Sequence, residues 1–108
     1  MTPRQWQIWK ARPEGFERDH WFVIISGNER CSSERSPKVN GLACFTLRGG
    51  LSPTDVALDR ADGFDNATTC QCDFLFTLSK TTLHSGLGSV SWERQQQIKA
   101  KLKEVFRI

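Results

Sequence analysis

The sequence predicts a mainly β domain with one helix, a small and strongly bent antiparallel sheet of five to seven short strands followed by a terminal helix. Three observations predict it. Short runs that alternate apolar and polar residues recur through the first three quarters of the chain, each bounded by Gly, Pro, Asn or Asp. The period then becomes helical, with Ile98, Leu102, Val105 and Phe106 at i, i+4, i+7 and i+8. Finally, 108 residues suffice for one core, and no repeat, low-complexity segment or linker divides them, so residues 1–108 read as a single domain.

The first strand is expected over residues 5–11, with Trp6 and Ile8 on one face and Gln7 and Trp9 on the other. Residues 12–19 form a polar loop broken by Pro13 and Gly15. Residues 20–26 are apolar on both faces and therefore make a central strand. The charged, serine-rich stretch 27–37 reads as a mobile loop, and 39–48 as a third strand closed by Gly49 and Gly50. Pro53 opens a short strand over 54–58, and 59–67 is a turn region rich in Asp, Gly and Asn. Residues 68–73 and 74–78 make one bent strand or two short ones, and 79–88 a connection with one helical turn. Ser91 is the expected N-cap of the last helix. Glu93 suits its positive end, and Lys99, Lys101, Lys103 and Arg107 load the other. A small SH3-like barrel with a packed terminal helix fits this order.

Hydrophobic content of 38% and charged content of 25% are those of a globular domain. No apolar run approaches the ~20 residues that span a bilayer, and residues 1–10 contain no apolar signal core, so a cytoplasmic location is expected. A net charge of +3 tolerates an anionic partner without demanding one, because basic residues alternate with acids, as around Glu17, Arg18 and Asp19. The cysteines at 31, 44, 70 and 72 contain no CxxC and match no common zinc spacing. They are expected to be free thiols acting as small core hydrophobes. No metal or other cofactor is called for.

Short motifs in a fixed order carry a resemblance. Ile8-Trp9 is followed by Pro13 and Gly15-Phe16-Glu17, then by the strand His20-Trp21-Phe22-Val23-Ile24-Ile25-Ser26. Phe45-Thr46-Leu47-Arg48, Asp62-Gly63, Cys72-Asp73-Phe74, Ser79-Lys80-Thr81-Thr82-Leu83 and Gly88-Ser89-Val90-Ser91 come next, before the helix. Over about 100 residues this order resembles the MazF/PemK toxins of bacterial toxin–antitoxin pairs. The resemblance implies an SH3-like barrel, a homodimer, RNA cleavage without a metal, and inhibition by a cognate antitoxin. The chain departs from the family at three points. His20-Trp21 replaces the usual Arg-Pro, the loop before it is one or two residues shorter, and Phe74 replaces a glutamine.

Such cleavage uses the 2′-hydroxyl as nucleophile, which makes it RNA-selective. It needs proton acceptors and donors, and donors for the charge that develops on phosphorus. The resemblance assigns catalytic roles to Thr46 and to the position of His20. Histidine exchanges a proton near neutral pH, whereas the arginine it replaces serves as a charge clamp. Arg18 or Arg48 is expected to supply that clamp, Trp21 to stack a splayed base, and Asp73 to bind a base or orient His20. His84 matches no catalytic position and is expected to be solvated. Two further readings keep the fold. One is a toxin that acts by binding, as the gyrase-poisoning relatives of the superfamily do. The other is a degenerate member that binds antitoxin only.

Overall fold

The structure, a computed structural model, describes residues 2–108. Seven strands, β1 (Gln7–Ala11), β2 (His20–Ile24), β3 (Lys38–Thr46), β4 (Asp55–Leu58), β5 (Thr68–Gln71), β6 (Phe76–Ser79) and β7 (His84–Ser89), form one sheet. A short helix, α1 (Asn28–Ser32), follows β2, and the long helix α2 (Trp92–Phe106) ends the fold. Single 3-10 turns occur at Arg60–Asp62 and Lys80–Thr82.

The strands are hydrogen-bonded in the order β4-β5-β3-β2-β1-β7, with β6 also on β3, and all pairs are antiparallel. β3 is nine residues long and serves two partners in succession, β6 along Lys38–Gly41 and β5 along Cys44–Thr46. The bend this forces gives the sheet its barrel-like curvature, but the path from β4 to β7 stays open rather than closed. β6 approaches β3 closely at Gly41, where a Cβ would lie 2.9 Å from Leu78 Cδ1, so no larger residue fits without a shift.

β2 is central, as its apolar pattern requires, and it feeds two cores. Val23 joins Ile8, Leu42, Cys44, Val56, Leu58, Cys70, Cys72, Val90 and Ile98 on one face. Phe22 and Ile24 join Trp9, Ala11, Cys31, Val39, Ala43 and Leu78 on the other. Trp6 packs with the first core and Trp9 lies in the second, as alternation predicts. The first strand nevertheless starts at Gln7 and not at residue 5, because Trp6 takes a left-handed backbone (φ 72°) that turns the chain into β1.

Two elements differ from the sequence reading. Part of the 27–37 stretch is the helix α1, held by the buried Cys31 and by Lys80, whose Nζ donates to the carbonyls of Arg30 (2.7 Å) and Ser33 (2.9 Å). Residues 84–88, the second half of the expected connection, belong to the edge strand β7 on β1. Its two glycines and exposed side chains carry no apolar alternation, so backbone hydrogen bonds alone define it.

The turn region after β4 holds an interior carboxylate. Asp62 is 1% exposed. Its Oδ2 accepts from the backbone N–H of Asp59 (3.0 Å), which begins the 3-10 turn, and its Oδ1 from that of Ser91 (2.8 Å), the residue that begins α2. Arg94 of α2 bonds Asp59 at 3.1 Å and lies 3.9 Å from Asp62. Gly63 follows in the left-handed conformation (φ 95°) that ends the turn. The Asp-Gly motif is thus a latch between the sheet and α2. On α2 itself, Ile98 is buried while Phe106, at the far end of the stripe, is 39% exposed.

All four cysteines are buried and unbridged. Cys44 and Cys70 are direct cross-strand partners. Hydrogen bonding to Cys44 raises the Cys70 thiol well above the usual range, and bonding to Cys70 together with burial raises Cys72. Burial also raises Cys31. Thiolate is the reactive form. Iodoacetamide at neutral pH is therefore expected to label none of the four in the folded protein and all of them after denaturation. Labelling of a core cysteine in the native state, followed by mass spectrometry, would contradict this packing.

Candidate functional site

The two cores run out of cover at one end of the sheet, where the last residues of β1 and β3 meet the first residues of β2 and β5. There a groove of ≈ 630 Å³ opens, lined by Lys10 of β1, by Arg18 to Trp21, by Cys44 to Thr46 and Arg48, and by Phe64 to Asn66 with Thr68. Five sequence-predicted residues, Arg18, His20, Trp21, Thr46 and Arg48, line it together. Asp73 does not. It is exposed beyond the opposite end of β5, which reaches the groove at Thr68.

The pleat decides which side chains share a face. Lys10 pairs with Trp21, Trp21 with Cys44, and Cys44 with Cys70, so these make one cross-strand row. Thr46, paired with Thr68, forms the next row on that same face. His20 and Phe45 belong to the other face. The His20 ring lies between Phe16 and Phe45, 5.0 Å from each ring centroid. It reaches the groove only because it is the first residue of β2, and it also lines a shallower pocket of ≈ 460 Å³ beside Phe16, Glu17 and Arg18.

Trp21 is half-buried, its edge against Phe64 (6.4 Å between centroids), with the Lys10 ammonium 4.9 Å above its ring. That ring face is therefore occupied by a cation and not open for a base. Thr46 is exposed at the end of β3, and its hydroxyl has no hydrogen-bond partner among the described residues. The neighbouring Thr68 hydroxyl, by contrast, is spent on the Asn66 carbonyl at 2.9 Å.

Asp19 is committed as well. It bonds Arg12 Nε at 3.1 Å and His84 Nε2 at 3.0 Å. Partial desolvation works against the charged carboxylate, but the hydrogen bond and charge of Arg12, helped by His84, hold its pKa below the usual value. His84 is exposed, as expected, and is also tied to Asp19 and, through Nδ1, to Ser85 Oγ (3.0 Å). Lys10, Arg18 and Arg48 form no ion pair among the described residues, so the groove presents three uncommitted cations beside a free hydroxyl. Such an arrangement suits a phosphodiester. Among the described residues no group of three or more His, Cys, Asp or Glu side chains is arranged to hold a metal ion, and no helix is long and apolar enough to cross a membrane.

Sequence reasoning missed Lys10, Asp19 and Asn66. Lys10 shares its face with Ile8, two residues earlier in a recognisable strand, and that alternation was the signal available.

No family model matches the sequence, and no curated protein does. Solved structures do. A mycobacterial endoribonuclease in complex with its cognate antitoxin superposes with a TM-score of 0.83 at 23% identity, over 98% of this chain and 96% of that one. The Mycobacterium tuberculosis toxin MazF-mt6 gives 0.72 at 17% identity, over 94% and 97%. A MazE–MazF structure from Deinococcus radiodurans gives 0.80 at 12% identity, over 100% and 99%. The chain has the MazF fold. In that fold, His20 stands at the start of β2 and Thr46 at the end of β3.

Proposed function

We propose that this chain is the toxin of a type II toxin–antitoxin pair, a metal-independent and sequence-selective endoribonuclease of single-stranded RNA. It acts in the cytoplasm as a homodimer and is silenced by a cognate antitoxin. One observation carries this reading. On a MazF fold, the Thr46 hydroxyl shares a groove with uncommitted cations at the ends of the central strands. Similar folds described as an endoribonuclease with its antitoxin, and as MazE–MazF, support the substrate and the partner.

In the proposed reaction the ribose 2′-oxygen attacks the adjacent phosphorus and the 5′-oxygen leaves, giving a 2′,3′-cyclic phosphate and a 5′-hydroxyl. Thr46 donates its O–H to a non-bridging oxygen, where negative charge builds. Arg18 and Arg48 flank the groove and neutralise the backbone. His20, at the groove's margin, exchanges the proton with the 2′- or 5′-oxygen. Asn66 offers an amide to a base edge.

The test is incubation of a long single-stranded RNA with purified, antitoxin-free protein in EDTA. Cleavage at few sites, with cyclic phosphate ends and strong loss in His20→Ala, is the expected result. A second reading is favoured by the aromatic packing of His20, which keeps its ring against Phe16 and Phe45. On that reading the fold binds a target or antitoxin without cutting. Intact RNA after incubation with folded wild-type protein would establish it over the nuclease.

A further inference from the structure

We propose that Lys10 is the phosphate-binding cation of the groove, with Trp21 as the residue that positions it. The catalytic part of this inference rests on the endoribonuclease reading, whereas the phosphate contact does not.

His20 leaves β2 on the face opposite Thr46 and so offers no charge on that face. On Thr46's own face the cation next to β2 is Lys10. It stands in the cross-strand row with Trp21 and Cys44, one row from Thr46. At ~4.8 Å between strands and ~3.3 Å per residue, the Cα atoms of Lys10 and Thr46 are about 12 Å apart, with the Trp21 indole in the interval. The ammonium lies over that indole, 4.9 Å from its centroid, so the side chain reaches from β1 onto β2.

Three features make Lys10 a better clamp than Arg18 or Arg48. Its backbone is fixed in a strand paired on both sides, to Trp21 of β2 and His84 of β7, while the two arginines lie outside the strands. Its ammonium rests on an aromatic face, which limits the rotamers lost when an anion binds. And of the two acids in the groove lining, Asp19 is already occupied by Arg12 and His84, while Asp65 forms no ion pair with Lys10, so the charge of Lys10 is left for a ligand. The ligand of matching chemistry is a backbone phosphate of a single strand, held by Nζ on a non-bridging oxygen while Thr46 donates to the same phosphate group. Nζ holds its protons throughout and acts by charge.

The experiment measures binding of a 2′-O-methyl RNA oligonucleotide, which resists cleavage, over a range of salt, together with cleavage of the unmodified strand. Lys10→Met is expected to reduce the slope of log affinity against log salt by about 0.7, the value of one phosphate contact on a single strand. It is also expected to lower kcat by about 10²-fold. Lys10→Arg should restore the slope, which separates loss of charge from loss of fold. Trp21→Leu should lower kcat in wild-type Lys10 but add nothing in the Lys10→Met background, as expected of a residue acting through Lys10. An unchanged slope in Lys10→Met overturns the proposal. Wild-type protein that binds the oligonucleotide without cutting RNA overturns the nuclease reading alone, and the slope then judges Lys10 by itself. Absence of oligonucleotide binding by the wild type overturns both.

Discussion

Replacing Asp62 with alanine is expected to lower the unfolding free energy by about 3 kcal/mol, a drop in melting temperature on the order of 15 °C for a chain of this size. Two backbone N–H groups depend on this one buried carboxylate, Asp59 at 3.0 Å and Ser91 at 2.8 Å. Truncation strands both where water cannot easily replace the acceptor, and each stranded donor costs roughly 1–3 kcal/mol. It also removes the buried negative charge beside Arg94, which then keeps its bonds to the more exposed Asp59 and to Gln97. Asp62→Asn should not rescue, because an amide offers one acceptor where two are needed. Urea unfolding of the two variants gives the answer. A loss below about 1 kcal/mol would mean that α2 is held mainly by Ile98 and its apolar neighbours.

Thr46→Ala is expected to lower kcat for RNA cleavage by about 10²- to 10³-fold, the effect of removing one donor aimed at developing oxyanion charge. Stability should change by less than about 0.5 kcal/mol, because the side chain is exposed at a strand end and makes no hydrogen bond among the described residues. Thr46→Ser, which keeps the hydroxyl, should recover most of the rate, while Thr46→Val, which keeps the shape, should not. Affinity for an uncleavable strand should move little, since the bond strengthens only as charge builds. Wild-type rates in Thr46→Ala would remove the hydroxyl from the mechanism and leave the cations as the only groups acting on the phosphate.

The parts of this fold that were legible in the sequence are those whose signal is local. Residues 20–26 are apolar on both faces, and β2 is central with a core on each side. Ile98 and its helical neighbours announced α2, and the unpaired spacing of the cysteines announced core thiols. What was missed depends on partners distant in the chain. The edge strand β7 has no side-chain pattern, and α1 is five residues long and is secured by Lys80, nearly fifty positions away. The motif order brought Thr46, Arg48, Arg18, Trp21 and His20 to one groove, but not the face each would take. Only the register shows that Lys10, and not His20, lies on the face of Thr46. Asp73 was placed by motif alone, and the length of β5 separates it from the groove.

Because both faces of the central strands are packed, this sheet divides its labour along each strand rather than across it. The middle residues, Phe22 and Val23 or Leu42 and Ala43, have no freedom to vary without disturbing one core or the other. The terminal residues belong to neither core in full. A chain built this way can change residues such as His20 and Trp21 at a strand tip and keep its architecture. The same strands thus carry a conservative segment that specifies the fold and a permissive one on which new chemistry can be tried.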